Sequence, residues 1–196
     1  MKASQHVKKV MGSAVFKDFM KEDPKAYLCS LFCVRAFNGE ADETQVDFYS
    51  PGKKEIISFK LEKGIERIPV NKKAETLTHK KFVPKPLEAD IKMDADKLGP
   101  TLLDEMHNRG MTYEVTKLLA FLTIVDGEAV WNCTGFLKGL GLIQAHIEDS
   151  SGTVLFMDKK SFFDLMRVVP GDRGKQQSQQ SQITSEKKEQ DKVNKK

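Results

Sequence analysis

Residues 115–135 read VTKLLAFLTIV, then DG, then EAVWNCTG, and this stretch decides the fold. Val115 to Val125 is a long run of aliphatic and aromatic residues, and Asp126-Gly127 is a strong signal for a two-residue hairpin turn. Pairing Val125 with Glu128 puts Ile124 opposite Ala129, Leu122 opposite Trp131, Ala120 opposite Cys133 and Leu118 opposite Gly135. A three-residue loop centred on Gly139 continues the register, with Trp131 against Ile147, Cys133 against Ala145 and Gly135 against Ile143. One face is then uniformly apolar and is expected to pack on a helix. A slip of one residue would turn all of these side chains to the other face.

The opposite face carries Leu119, Phe121, Thr123, Val130, Asn132, Thr134, Gln144, His146 and Glu148. In an ordinary amphipathic sheet the polar part is solvated, while Leu119 and Phe121 pack against another segment. The functional alternative is that this face receives a partner, which makes Leu119, Phe121, Asn132, Thr134, Gln144 and His146 the candidate partner-binding residues.

Working outward, Pro100 to about Asn108 reads as a helix ended by Gly110, with Leu102, Leu103 and Met106 as its buried stripe. Asp94 and Asp96 are earlier cap candidates. After the turn Asp149-Ser150-Ser151-Gly152, Thr153 to Met157 closes the sheet, and Ser161 caps a short helix with Phe162, Leu165, Met166 and Val169 on one side. The same order occurs earlier. Ser4 caps a helix with Val7, Val10, Met11, Ala14, Val15 and Phe19 as its stripe, and Pro24 stops it. Strands follow at Tyr27–Phe37, broken by Asn38-Gly39, at Val46–Tyr49 and at Glu55–Leu61, with a type II turn at Ser50-Pro51-Gly52-Lys53. An offset of 88 residues places Gly39-Glu40 on Gly127-Glu128 and Val34 on Leu122, and an offset of 87 places Ile56 on Ile143. The correspondence is one of pattern.

The expected fold class is therefore α+β, with two similar helix-plus-antiparallel-sheet units packed together. The first unit is residues 1–62, a basic proline-containing connector with a short strand near Ile68–Val70 is 63–93, the second unit with its terminal helix is 94–170, and a disordered basic tail is 171–196. Leu31, Cys33 and Phe37 of the first unit fall on the face equivalent to Leu119 and Phe121, and are expected to cover them. The tail combines a Gln/Ser run, Gln176 to Gln182, with charged residues, and buries too little apolar area to offset its ordering entropy.

The formal charge of +4 is mostly that of the tail: from Asp172 onward seven bases face four acids, a net +3. The body has no strong bias toward polyanions. Cys29, Cys33 and Cys133 lie in apolar strand patterns, and the first two, about 13 Å apart along a strand, are too distant for a disulfide. Reduced thiols in a cytoplasmic setting are expected. The first residues show no secretory signal, and no apolar run is long enough to cross a membrane.

The four histidines, His6, His79, His107 and His146, are scattered and lack metal-ligand spacing, so neither a metal nor a cofactor is expected. Cys133 and His146 lie on adjoining strands, but the register points them to opposite faces, against a nucleophile and base pair. Asn132 opposite His146 is the best polar constellation and supports an alternative reading as a small enzyme pocket. Gly139 and Gly141 precede a strand rather than a helix and are hairpin glycines, not a phosphate loop. A further alternative is nonspecific nucleic-acid binding through Lys72, Lys73, Lys80, Lys81, Lys85 and the tail.

Trp131-Asn132-Cys133 and the run His146-Ile147-Glu148-Asp149-Ser150-Ser151-Gly152-Thr153-Val154-Leu155, set behind a helix, resemble the PepSY domain. In that family a strand ending in an acidic turn, Asp-x-x-Gly-x-Val/Leu, leads into the next strand. The resemblance covers about residues 94–158 and, more faintly, 4–62, implying a tandem of cystatin-like units. PepSY domains are known from peptidase propeptides and from secreted or membrane-anchored proteins, where they are thought to bind or restrain partners. This sequence departs from them in showing no signal, anchor or attached peptidase. The leading expectation is a non-catalytic intracellular binding or regulatory protein that holds a protein or peptide on its sheet surface or in an inter-unit groove, with no membrane role and with oligomerisation possible.

Overall fold

A computed structural model describes residues 2–37, 42–68 and 83–161. The turn at Asn38-Gly39-Glu40, the connector from 69 to 82, the helix expected after Ser161 and the tail lie outside the described residues. The elements in chain order are α1 (Ala3–Gly12), α2 (Ala14–Glu22), β1 (Tyr27–Ala36), β2 (Glu43–Ser50), β3 (Glu55–Lys60), β4 (Glu66–Ile68), α3 (Ala95–Asn108), β5 (Val115–Val125), β6 (Glu128–Leu137), β7 (Gly141–Glu148) and β8 (Val154–Ser161). The class is α+β, as expected from the sequence.

All eight strands belong to one sheet, in the order β4-β3-β2-β1-β5-β6-β7-β8. The hairpin register is the one the sequence implies, from Val125 opposite Glu128 to Leu118 opposite Gly135, and on to Trp131 opposite Ile147. Asp126 and Gly127 both have positive φ, 51° and 97°, as a type I′ turn requires.

The first half joins the second by strand pairing rather than by covering its face. β1 runs antiparallel to β5, with Leu31 opposite Leu122, Phe32 opposite Phe121 and Val34 opposite Leu119. Leu31 and Cys33 therefore lie on the buried side and do not cover Leu119 and Phe121, and Phe37 is exposed. The 88-residue offset also fails the face test: it superposes Val34, on the open side, on Leu122, on the buried side. The 87-residue offset has the same fault, because Ile57 and Phe59 are the buried pair in β3, whereas Ile143 is buried in β7. An offset wrong by one residue inverts every side chain.

One row crosses six strands. Phe59, Val46, Leu31, Leu122, Trp131 and Ile147 are successive cross-strand partners, and all have zero exposure. The helices lie over this side. Phe16 and Phe19 of α2 meet Phe48 and Phe59 with ring centroids 4.6 to 6.5 Å apart, and Leu102 of α3 reaches Gly135, where a Cβ would come within 3.1 Å of its Cδ2. Gly135 thus sets how closely α3 approaches the sheet.

The N-terminal helix is two helices. Ser13 has extended backbone, closes α1 through its N–H on the Val10 carbonyl, and caps α2 by accepting from the Phe16 N–H at 3.2 Å. The break re-phases the second helix so that Phe16 is buried, and Met11 (43%) and Val15 (39%) are exposed instead of forming the stripe. α1 begins at Ala3 with Lys2, not Ser4, as its cap residue. α3 starts five residues before Pro100, because Ala95 and Leu98 extend the buried stripe of Leu102 and Met106, and Leu103 faces out. The loop after β2 is not a type II turn. Lys54 N–H donates to the Ser50 carbonyl at 2.7 Å, and Lys54, not Gly52, takes the left-handed conformation. The strand expected at Ile68–Val70 overlaps β4, Glu66–Ile68, at Ile68, and residues 69 and 70 lie outside the described residues.

Arg35, on the buried side opposite Leu118, ties the halves together at one end. Its guanidinium meets Asp42 at 2.6 Å and Asp96 of α3 at 2.8 Å. His6 of α1 lies in the same charge environment. Burial lowers the His6 pKa, and the amino-terminal charge and Arg35 lower it further.

Two outcomes follow. Leu122→Ala removes the centre of the buried row and should lower unfolding free energy by about 3 kcal/mol in urea titration. Because His6 has a folded pKa below its unfolded value of 6.5, the unfolded chain takes the proton first, and stability falls as pH drops below that value. His6→Gln should flatten this loss, measured as midpoint against pH.

Candidate functional site

The six candidate residues come together on the open side of the sheet. Phe121, Asn132 and His146 are successive partners in one row, and Leu119, Thr134 and Gln144 form the next. β1 and β2 extend both rows: Gln45, Phe32 and Phe121 lie side by side, as do Val34 and Leu119. Phe121 is 44% exposed although it stands on a central strand. Its ring packs on Phe32 with centroids 4.5 Å apart, and His146 packs on Phe156 at 5.2 Å. The two contributors from β1, Phe32 and Val34, were not legible as site residues, because their face depends on a pairing between distant strands.

The polar groups are partly committed. Asn132 Nδ2 donates to Thr123 Oγ1 at 3.0 Å and to the Val130 carbonyl at 3.3 Å. Gln45 Nε2 donates to Asp47 Oδ1 at 2.8 Å and to Ser58 Oγ at 3.1 Å, and Ser30 Oγ donates to Asp47 Oδ2 at 3.0 Å. Burial raises the Asp47 pKa, and the hydrogen bonds from Ser58, Gln45 and Ser30 oppose that rise. This side therefore presents aromatic rings set among fixed amides and hydroxyls.

Cys133 is buried on the helix side and His146 is exposed on the other, so the dyad geometry is absent. Burial pushes the Cys133 and Cys29 thiols up to about 12 and the Cys33 thiol to about 11, far from a reactive thiolate at neutral pH. All three are free. Among the described residues no group of three or more His, Cys, Asp or Glu side chains could hold a metal ion, and no helix is long and apolar enough to cross a membrane.

Asp149, in the acidic turn, has a role that sequence reasoning missed. Its buried carboxylate accepts from the Trp131 indole N–H at 2.9 Å, the Lys92 N–H at 2.8 Å and the Met93 N–H at 3.1 Å. The only tryptophan, the end of the connector and the entry to α3 are thus held by one side chain. The available signal was an acid two residues beyond a tryptophan's cross-strand partner, Ile147. Beside it, Leu87, Ile91, Ile124 and Ala129 help line an open cavity of about 350 Å³ near the Asp126-Gly127 hairpin, and none of the six candidate residues lines it.

These features define an α+β protein with a helix-covered sheet and an aromatic, amide-rich open face. No family model matches the chain, and no curated protein matches it. A solved structure, described as a candidate lipoprotein from Clostridium difficile 630, is similar at 15% identity with a TM-score of 0.44, covering 74% of this chain and 90% of that one. A likeness at that level supports no statement about kinship or function.

Asp149→Ala would leave an indole N–H and two backbone N–H groups buried without acceptors. It should cost roughly 3 kcal/mol or more in urea titration, whereas Asp149→Asn, which keeps one acceptor oxygen, should cost less.

Proposed function

We propose that this is a non-catalytic binding or regulatory protein that holds a protein or peptide partner against the open face of its sheet. The observation that carries this reading is Phe121, a large apolar side chain left exposed in the middle of an eight-stranded sheet. Covering such a ring gains about 1.5–3 kcal/mol, and Phe32, Leu119 and Val34 beside it extend the apolar contact. Thr134, Gln144 and His146 supply a polar rim of the kind that accompanies an apolar centre in protein interfaces. The seam between the halves is a strand pair, which favours the face over an inter-unit groove as the binding surface.

The strand order supports a finer reading, of two related cystatin- or PepSY-like halves. Each half runs helix first and then four strands counted outward from the β1 and β5 seam. Three unpaired thiols support a reducing, cytoplasmic setting.

The test is affinity capture at physiological salt with full-length protein, Phe121→Asp and a form ending before Asp172. A partner retained by the first and third and lost by Phe121→Asp supports the reading. Capture insensitive to Phe121, or lost with the tail, overturns it.

A further inference from the structure

The seam between β1 and β5 stops short of the Asp126-Gly127 hairpin. Its ladder ends at Leu31 opposite Leu122, and β1 carries its bulge just beyond, between Leu28 and Ser30. The 83–93 segment takes over there: the Leu87 N–H donates to the Leu28 carbonyl at 2.8 Å, and the Lys92 and Met93 N–H groups are tied to Asp149. Between these attachments the segment and the hairpin form the walls of the open cavity of about 350 Å³, a volume within the range of small-ligand sites.

The cavity has two kinds of wall. Ile124 and Ala129 continue the buried side of the sheet by one pair beyond Leu122 and Trp131, and Leu87 and Ile91 add apolar surface from the segment. The charged groups are mostly of one sign. Four carboxylates, those of Glu88, Asp90, Glu128 and Asp149, stand against one ammonium, that of Lys92, a net −3 in a chain whose formal charge is +4. Lys92 is held by Asp90 in an ion pair, Asp149 and Glu88 act on it more weakly, and Lys8 of α1 also acts on Asp90. Glu128 is exposed, and its carboxylate has no hydrogen-bond or ion-pair partner among the described residues. Asp149, 4% exposed, accepts hydrogen bonds from neutral N–H groups, so it brings a negative charge to the wall with no directly bound counter-ion among those residues.

We propose that this cavity binds an aliphatic amine, its hydrocarbon chain lying against Leu87, Ile91, Ile124 and Ala129 and its ammonium at the solvent side beside Glu128 and Glu88. Each methylene buried on the apolar wall adds to binding, and the ammonium keeps part of its water and avoids the cost of burying a charge. A cleft lined by one sign of charge concentrates the opposite ion and repels its own, so an alkyl carboxylate of the same length is excluded. The same chemistry is carried by a free alkylamine and by the lysine side chain of a peptide. None of the six open-face residues lines this cavity, so the proposal stands apart from partner binding on that face.

The test titrates the isotope-labelled full-length protein with pentylammonium, pentanol, pentanoate and Nα-acetyl-lysine N-methylamide, following backbone amide shifts. Pentylammonium should give saturable shifts at residues 87–92 and 127–129 with a dissociation constant on the order of 1 mM. It should also change the fluorescence of Trp131, whose indole N–H bonds Asp149. Pentanol and pentanoate should bind at least about tenfold more weakly, and Glu128→Gln should weaken pentylammonium about threefold. Ala129→Leu, which fills the apolar wall, should abolish binding. A lysine derivative that matches pentylammonium identifies a protein side chain as the source, and one that fails where pentylammonium binds identifies a free amine. The absence of saturable shifts, pentanol binding as tightly as pentylammonium, or shifts unaffected by Ala129→Leu each overturns the proposal. Should Ala129→Leu not fold, Glu128→Gln decides, and an affinity for pentylammonium unchanged from the wild type overturns it too.

Discussion

The architecture depends on the hydrogen-bonded seam between β1 and β5. It brings Leu31 against Leu122, and so turns two three-strand apolar rows into one continuous row of six residues with no solvent contact. Neither half has that much core by itself, and a small domain is marginal when its buried apolar area is small. Once the seam sets which side is buried, the pleat fixes every other side chain: Phe32 and Phe121 must emerge together on the opposite face. The open aromatic surface is thus a by-product of the same registration that builds the core.

Polar groups hold the periphery where packing alone would not. Asp149 gathers three N–H donors from two parts of the chain, and Arg35 joins β1 to the loop before β2 and to α3. Both are local solutions to the same constraint: a buried charge or amide must find partners, and those partners come from segments distant in sequence. Both meet the chain near the start of α3, Arg35 through Asp96 and the Asp149 turn through Lys92 and Met93.

Much of the second half was legible, because a two-residue turn leaves no freedom of register. Asp126-Gly127 fixed the pairing of β5 with β6, and the short loop centred on Gly139 that of β6 with β7, and with them the placement of Asn132, His146 and their neighbours. The first half was less so. Gly12-Ser13 interrupts a run that keeps helical spacing on both sides, so periodicity alone joined what Ser13 separates. A bulge at Cys29, between Leu28 and Ser30, adds a residue to β1, and such an insertion defeats an alignment made by constant offset. What could not be read at all was the neighbour of β1, because pairing between distant strands has no local turn to announce it. That missing neighbour hid Phe32 and Val34 from the candidate site.

The seam also has a consequence for how the chain reaches this structure. The other strand pairs with a determined register join neighbours in sequence, whereas Leu31 and Leu122 are separated by about 90 residues. The hairpins can form early, each with one apolar face still wet, and the long search is for the single antiparallel match that unites them. Until it is found, β1 and β5 are both exposed edges. The two strands that end at the centre of the sheet are thus the ones most open to wrong partners during folding.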